Sequence, residues 1–209
     1  MDWSTVASLA TAAGTLILAV STFAAVRSAN RAARVAERSL LVGLRPVLVP
    51  ARYQDPPEKV GFADAHYLLA RGGRAAVEVT DTVIYLAIAI RNVGSGLAVL
   101  DSWSLSPNAQ MGDTPHAGLD SFRRLTRDLY VPPGDNGFWQ GALRDPSDPL
   151  FAATRDAIND GRRMTIELLY GDHEGGQRTI SRFGINRRED GEWLAAVSRH
   201  WNLDRPDPR

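Results

Sequence analysis

TVIYLAIAIR, Thr82 to Arg91, is the stretch on which the fold turns. Side chains alternate along a strand, so Ile84, Leu86, Ile88 and Ile90 share one face and Val83, Tyr85, Ala87 and Ala89 the other. The first face is aliphatic core. The second is apolar but slimmer, the pattern of a central strand covered on both sides. Asn92-Val93-Gly94-Ser95-Gly96 follows and supplies residues that accept positive φ for a tight reversal. Leu97 to Leu105, LAVLDSWSL, returns as the next strand.

Downstream, Pro107 to Gly137 has weak periodicity and reads as a long irregular segment, with a short helix or crossing at Asp120 to Leu125. A connection of that length is usually functional or mobile. Phe138 to Leu143 is a short strand. Over Asp145 to Asp160 the period changes: Pro149 suits the first turn after Asp148, and Leu150, Phe151, Thr154 and Ile158 have helical spacing. A meander closes the chain. Met164, Ile166, Leu168 and Tyr170 alternate inward, Gln177 to Ile185 pairs back, and the Asp190-Gly191 turn leads into Glu192 to Trp201. Asp204 to Arg209 is a frayed tail.

Upstream, Pro46 to Pro50 reads as an edge strand, and Tyr53 to Gly73 as irregular chain. About seven strands and one short helical insertion are the inventory of an immunoglobulin-like β-sandwich. The fold expected is therefore mainly β, with the sandwich spanning residues 45–203 and the tail 204–209.

Before the sandwich, Trp3 to Val26 runs without a charged residue. At about 1.5 Å per residue such a helix crosses a hydrocarbon core about 30 Å thick. No positive charge precedes the apolar run, as a signal peptide would require, and no polar stripe marks it as a soluble helix. Residues 1–26 are thus a transmembrane anchor. Residues 27–44 continue it as a basic juxtamembrane helix, in which Arg27, Arg31, Arg34 and Arg38 stack on one face. Arginines just past an anchor mark the cytoplasmic side, so the N-terminus is expected outside the inner membrane and the sandwich in the cytosol. The same stripe can lie on anionic headgroups. Ala10 and Gly14, four apart, form a small face through which the helix can pair with a copy of itself.

A helical anchor, an Arg-Pro strand (Arg45-Pro46) and a hydrophobic strand ending in Asn92-x-Gly94-x-Gly96-x-Ala98 together resemble bacterial proteins of uncharacterised activity that carry one N-terminal membrane helix and a small β-sandwich. The resemblance covers about the first half of the chain and rests on turn geometry. It implies fold and topology.

Chemistry is harder to find. Lys plus Arg and Asp plus Glu both number 24, so no global field attracts nucleic acid. There is no cysteine, which removes disulfides, thiol nucleophiles and thiolate zinc sites. The glycines after Asn92 lack a P-loop lysine and enter a strand, so no cofactor is expected. His66, His116, His173 and His200 show no ligand spacing, and no metal is expected. Asp172-His173-Glu174 reads as a solvated turn. Asp113, His116, Asp120 and Ser121 lie close together without a nucleophile elbow. The function expected is a membrane-anchored binding or scaffold module that presents the sandwich to a protein partner or to itself. A membrane-tethered hydrolase using His116 or His173 with nearby carboxylates is the alternative.

Overall fold

The structure, a computed structural model, describes residues 2–110 and 113–204. It divides into two units, a helix up to Gly43 and a β domain, Leu44–Arg209.

Helix α1, Trp3–Gly43, runs 41 residues, so the segments expected as anchor and stalk form one continuous helix about 60 Å long. Hydroxyls that would weaken an apolar helix are turned onto its own backbone. Ser8, Thr11 and Thr15 donate to the carbonyls of Ser4, Ala7 and Thr11 at 2.8–2.9 Å, one turn back. Leu16, Ile17, Leu18, Val20 and Phe23 are all more than 60% exposed.

The domain is mainly β and antiparallel. Its strands are β1 (Leu48–Pro50), β2 (Glu58–Gly61), β3 (Tyr67–Ala70), β4 (Arg74–Val79), β5 (Ile84–Asn92) and β6 (Ala98–Ser106), then β7 (Arg123–Val131) and β8 (Asn136–Leu143). Helix α2 (Pro149–Asn159) precedes β9 (Met164–Gly171), β10 (Thr179–Arg187) and β11 (Trp193–Asn202). Nine strands form one hydrogen-bonded sheet, and β2 and β3 make a separate hairpin. The immunoglobulin-like expectation of two separately bonded sheets is met only at its coarser level, as a curled antiparallel sheet with one helical insertion.

β5 organises that sheet, as its sequence pattern predicts. It pairs with β8 along one edge, and β1 and β4 sit end to end on the other. From β4 the ladder continues through β11, β10, β9 and β6 to β7. The sheet curls until both ends meet over one core. Trp103 of β6 and Trp139 of β8 touch edge to face, ring centres 5.3 Å apart. Ile84, Leu86, Ile88 and Ile90 lie in this core with Ile166, Leu168, Phe183 and Ile185. α2 adds Phe151, Ala157 and Ile158, and its first turn is capped by Asp148, whose carboxylate accepts from Leu150 N. On the slim face of β5, Tyr85, Ala87 and Ala89 pack under Val60, Phe62 and Leu68 of the hairpin. Small side chains there leave room for that second layer.

The Asn92 corner explains the Asn-x-Gly-x-Gly pattern. Asn92 is fully buried, and its amide makes four hydrogen bonds: it accepts from Val47 N and Gly94 N and donates to Gly96 O and Val131 O. A side chain on Gly96 would fall 1.6 Å from Leu44 O, and one on Gly94 2.3 Å from Arg45 O. These glycines exist for close backbone approach to the segment that leaves the helix.

Four strands escape the sequence reading. The chain read as irregular from Tyr53 to Gly73 contains β2 and β3, and β4 follows it. The segment read as a loop, Pro107 to Gly137, contains β7; of the short helix or crossing expected at Asp120 to Leu125, a single 3-10 turn, Leu119–Ser121, forms just before that strand. The segment's earlier part is a strap over β9. Gln110 N donates to Thr165 Oγ1, and Ala117 N to Glu167 Oε2. That strap is why β9 is buried at all eight positions rather than alternately.

Candidate binding cleft

The two ends of the curled sheet, β7 and β8, are consecutive in sequence but no ladder joins them. Near their turn they touch: a side chain at Gly137 would meet Val131 Cγ2 at 2.8 Å. Further along, Arg127 Nη2 donates to Gln140 Oε1 at 3.0 Å across the seam. Beyond that pair the strands part around a cleft of about 360 Å³. Phe62, Trp103 and Leu125 give it apolar walls, and Arg123, Arg124 and Arg144 give it charge.

Backbone irregularity keeps the cleft open. β6 pairs Leu100 with Leu129 and then Ser102 with Arg124, so residues 125–128 of β7 have no register partner. Such a bulge re-aims a strand and leaves its amides and carbonyls unladdered. The charges around the cleft are unevenly matched. Arg123 meets Asp148 at 2.6 Å and Arg144 meets Asp64 at 3.3 Å. The Arg123 guanidinium, with the Leu150 amide, holds the Asp148 carboxyl below its usual range. The Tyr85 hydroxyl, at 2.7 Å, does the same for Asp64. Asp145 is held low by the Ser147 hydroxyl and amide, which occupy its Oδ1. Arg124 has no partner among the described residues, and Arg127 has only an amide oxygen and the Phe138 ring.

Two buried polar networks lie elsewhere. Glu167 and Arg182, both at most 5% exposed, pair at 2.6 Å, and Arg182 also donates to Thr114 O and Pro115 O. They fasten the strap to the sheet. In the second, the Tyr170 hydroxyl accepts from Leu48 N and bonds Ser181 Oγ at 2.7 Å, and Ser181 Oγ in turn lies 2.7 Å from His200 Nδ1. Burial pushes the Tyr170 pKa up to about 12. A serine beside a histidine suggests a nucleophile, but Ser181 is fully buried, so its hydroxyl has no path to a substrate. The network holds β1 to the sheet. Nearby, Arg45 donates to Thr179 Oγ1 and Asn202 Oδ1 and pairs with Asp204 at 2.6 Å. Asp204 is thereby tied down rather than frayed. Residues 205–209 of the expected tail lie outside the described residues.

The histidines singled out for a hydrolase stand apart. His116 Nδ1 bonds Ala117 O, and its ring packs edge-on to Trp201. His173 is exposed beside Glu174, 3.9 Å away. Neither is hydrogen-bonded to a hydroxyl nucleophile. His66 stacks on Tyr85. No group of three His, Asp or Glu gathers as a metal site among the described residues. On the helix, Arg27, Arg31 and Arg34 are exposed, while the Arg38 side chain lies outside the described residues. Ala10 is exposed, and nothing lies within 4 Å of a side chain placed on Gly14. Sequence reasoning missed the cleft, because four separate segments supply its lining. The arginine-rich start of β7 was its one visible signal.

No protein-family model matches the chain, and no curated protein matches it. Among solved structures, a "protein from Archaeoglobus fulgidus" is 12% identical over 62% of this chain and 94% of that one, with a TM-score of 0.26. The "Putative ApaA Protein from Bordetella pertussis" is 13% identical over 77% of this chain and 99% of that one, with a TM-score of 0.22. Likenesses this slight carry no argument about fold or activity.

Proposed function

We propose that the chain is a single-pass protein of a bacterial inner membrane, N-terminus outside, whose cytosolic β domain works by binding a protein partner or a second copy. The observation that carries this reading is the apolar face of α1. Leu16, Ile17, Leu18, Val20 and Phe23 are 61–69% exposed. Burying each such side chain is worth about 1.5–3 kcal/mol, and lipid supplies the burial. Arg27, Arg31 and Arg34, with Arg38, follow it and favour the cytosolic side for what comes after. They also suit contact with anionic headgroups. The domain acts in this reading as an immunoglobulin-like module, offering edges and clefts rather than a catalytic step. The open face at Ala10 and Gly14 is where copies pair within the membrane.

Topology is the direct test. The chain should stay with membranes through alkaline extraction, and a phosphatase that works only after export should be inactive when fused after Arg209. An active fusion, or release of the chain from the membrane, would overturn the reading.

A further inference from the structure

We propose that the open half of the β7–β8 seam receives an extended, acidic segment of a partner protein, which adds as a strand along residues 123–126 of β7. The inference rests on the binding reading above and names the partner's chemistry.

Three observations converge on it. The first is backbone supply. No ladder joins β7 to β8, so the edge of β7 away from β6 carries unladdered backbone where residues 123–126 line the cleft. Strand addition uses that resource: main-chain bonds give affinity and alternate side chains give specificity. The second is shape. The seam is closed by Val131 against Gly137 and by the Arg127–Gln140 bond, and it opens only beyond them. The opening along residues 123–126 is about 13 Å long at about 3.3 Å per residue, room for about four residues of strand. The third is charge. Arg124 lacks a partner among the described residues and Arg127 lacks a carboxylate, so two guanidinium groups are left for an acidic segment beside the ionised Asp145, whose Oδ1 is held by Ser147.

An alternating acidic and apolar strand matches both linings. Its carboxylates reach Arg124 and Arg127, and its apolar side chains reach Phe62, Trp103 and Leu125. The same charges argue against a second copy of β7 as the occupant, because its Arg123, Arg124 and Arg127 would face their own kind. Arginines on an edge strand ordinarily deter such pairing.

The test uses the full chain in nanodiscs of uncharged phosphatidylcholine, so that lipid does not compete. The probe is a fluorescein-labelled octapeptide alternating glutamate and valine. Binding by fluorescence anisotropy is expected, and Arg124→Glu should weaken it by about tenfold or more. Arg124 is exposed and unpartnered, so this variant should keep the wild-type melt. N-methylating alternate amides of the peptide should abolish binding, and backbone amides of residues 123–126 should exchange more slowly when the peptide is bound. No binding, equal binding by a peptide with lysine in place of glutamate, or undiminished binding by the N-methylated peptide would each sink the proposal. So would full competition by inorganic phosphate or by single-stranded DNA, which would show an anion site or a nucleic-acid groove. So would a chain whose self-association is lost with Arg124→Glu. The result is independent of topology. A seam that takes no acidic strand in a domain the fusion still places in the cytosol leaves the binding-module reading standing, and a seam that takes one in an exported domain leaves this inference standing.

Discussion

β9 and β7 are strands of similar length in one sheet, and they stand at opposite extremes. β9 is buried at all eight positions, laddered to β10 on one edge and β6 on the other, with the strap across its outer face. β7 has one ladder, interrupted by a bulge, and its first six residues are exposed or half-buried. The difference is in what each strand does with polar groups. β9 must bury Glu167, and does so by pairing it with Arg182 and a strap amide, because an unpaired charge there would cost several kcal/mol. β7 keeps its arginines exposed: Arg123 meets Asp148 and Arg127 meets Gln140 at the surface, and Arg124 has no partner among the described residues. Rigidity collects where every polar group is matched, and binding capacity where some are left over.

The contrast can be broken from the β9 side. Glu167→Ala leaves Arg182 buried without its carboxylate and frees the strap, and should cost about 3–5 kcal/mol. A urea midpoint for the full chain in detergent that barely moves would show the pair to be dispensable. An intermediate effect is expected where the seam meets α2. Asp148 caps that helix and holds Arg123, so Asp148→Ala should cost about 1 kcal/mol near neutral pH. Its carboxyl is held below the ordinary value in the folded chain, so the stabilisation is present above about pH 4 and fades as pH falls through the native pKa. Wild type and variant should therefore converge in acid; a difference that persists unchanged at pH 2 would point to a contact other than the charged cap. The smallest effect belongs to β7. Arg124→Glu should shift stability by less than about 0.5 kcal/mol. A large loss of stability there would mean that Arg124 has a structural partner and that the two strands are less different than they look.

Much of this was legible in the sequence where apolar pattern and turn chemistry agree. β5 was read from TVIYLAIAIR and its glycine-rich reversal, and α2 from Asp148-Pro149 and the spacing of Phe151 and Ile158. β10 and β11 follow from the Asp190-Gly191 turn. β7 was missed because RRLTRDLYV carries charge where a half-buried strand would alternate, its bulge being exposed. β2 and β3 are four residues each, too short for a period to show. β4 hides among alanines. Beyond the arginines that begin β7, the cleft could not be read, since its lining converges only when the sheet has curled. The close approach of Gly96 to Leu44, which leaves no room for a side chain, belongs to the same class, a tertiary reason for a residue that locally looks like turn chemistry.

The Arg45–Asp204 pair has a topological consequence. With Arg45 Nη2 and Asp204 Oδ2 2.6 Å apart, the β domain is in effect a ring of chain, opened beside β1 and β11 by no more than the span of that side-chain bridge. A circular permutation is therefore geometrically cheap: joining 204 to 45 through a short glycine linker and cutting at Asp135, in the turn between β7 and β8, would keep every ladder of the sheet. It would also release the two banks of the cleft from the short turn that joins them directly. Anything attached after Asp204 emerges beside residue 45, at the same point on the domain where the chain arrives from the helix.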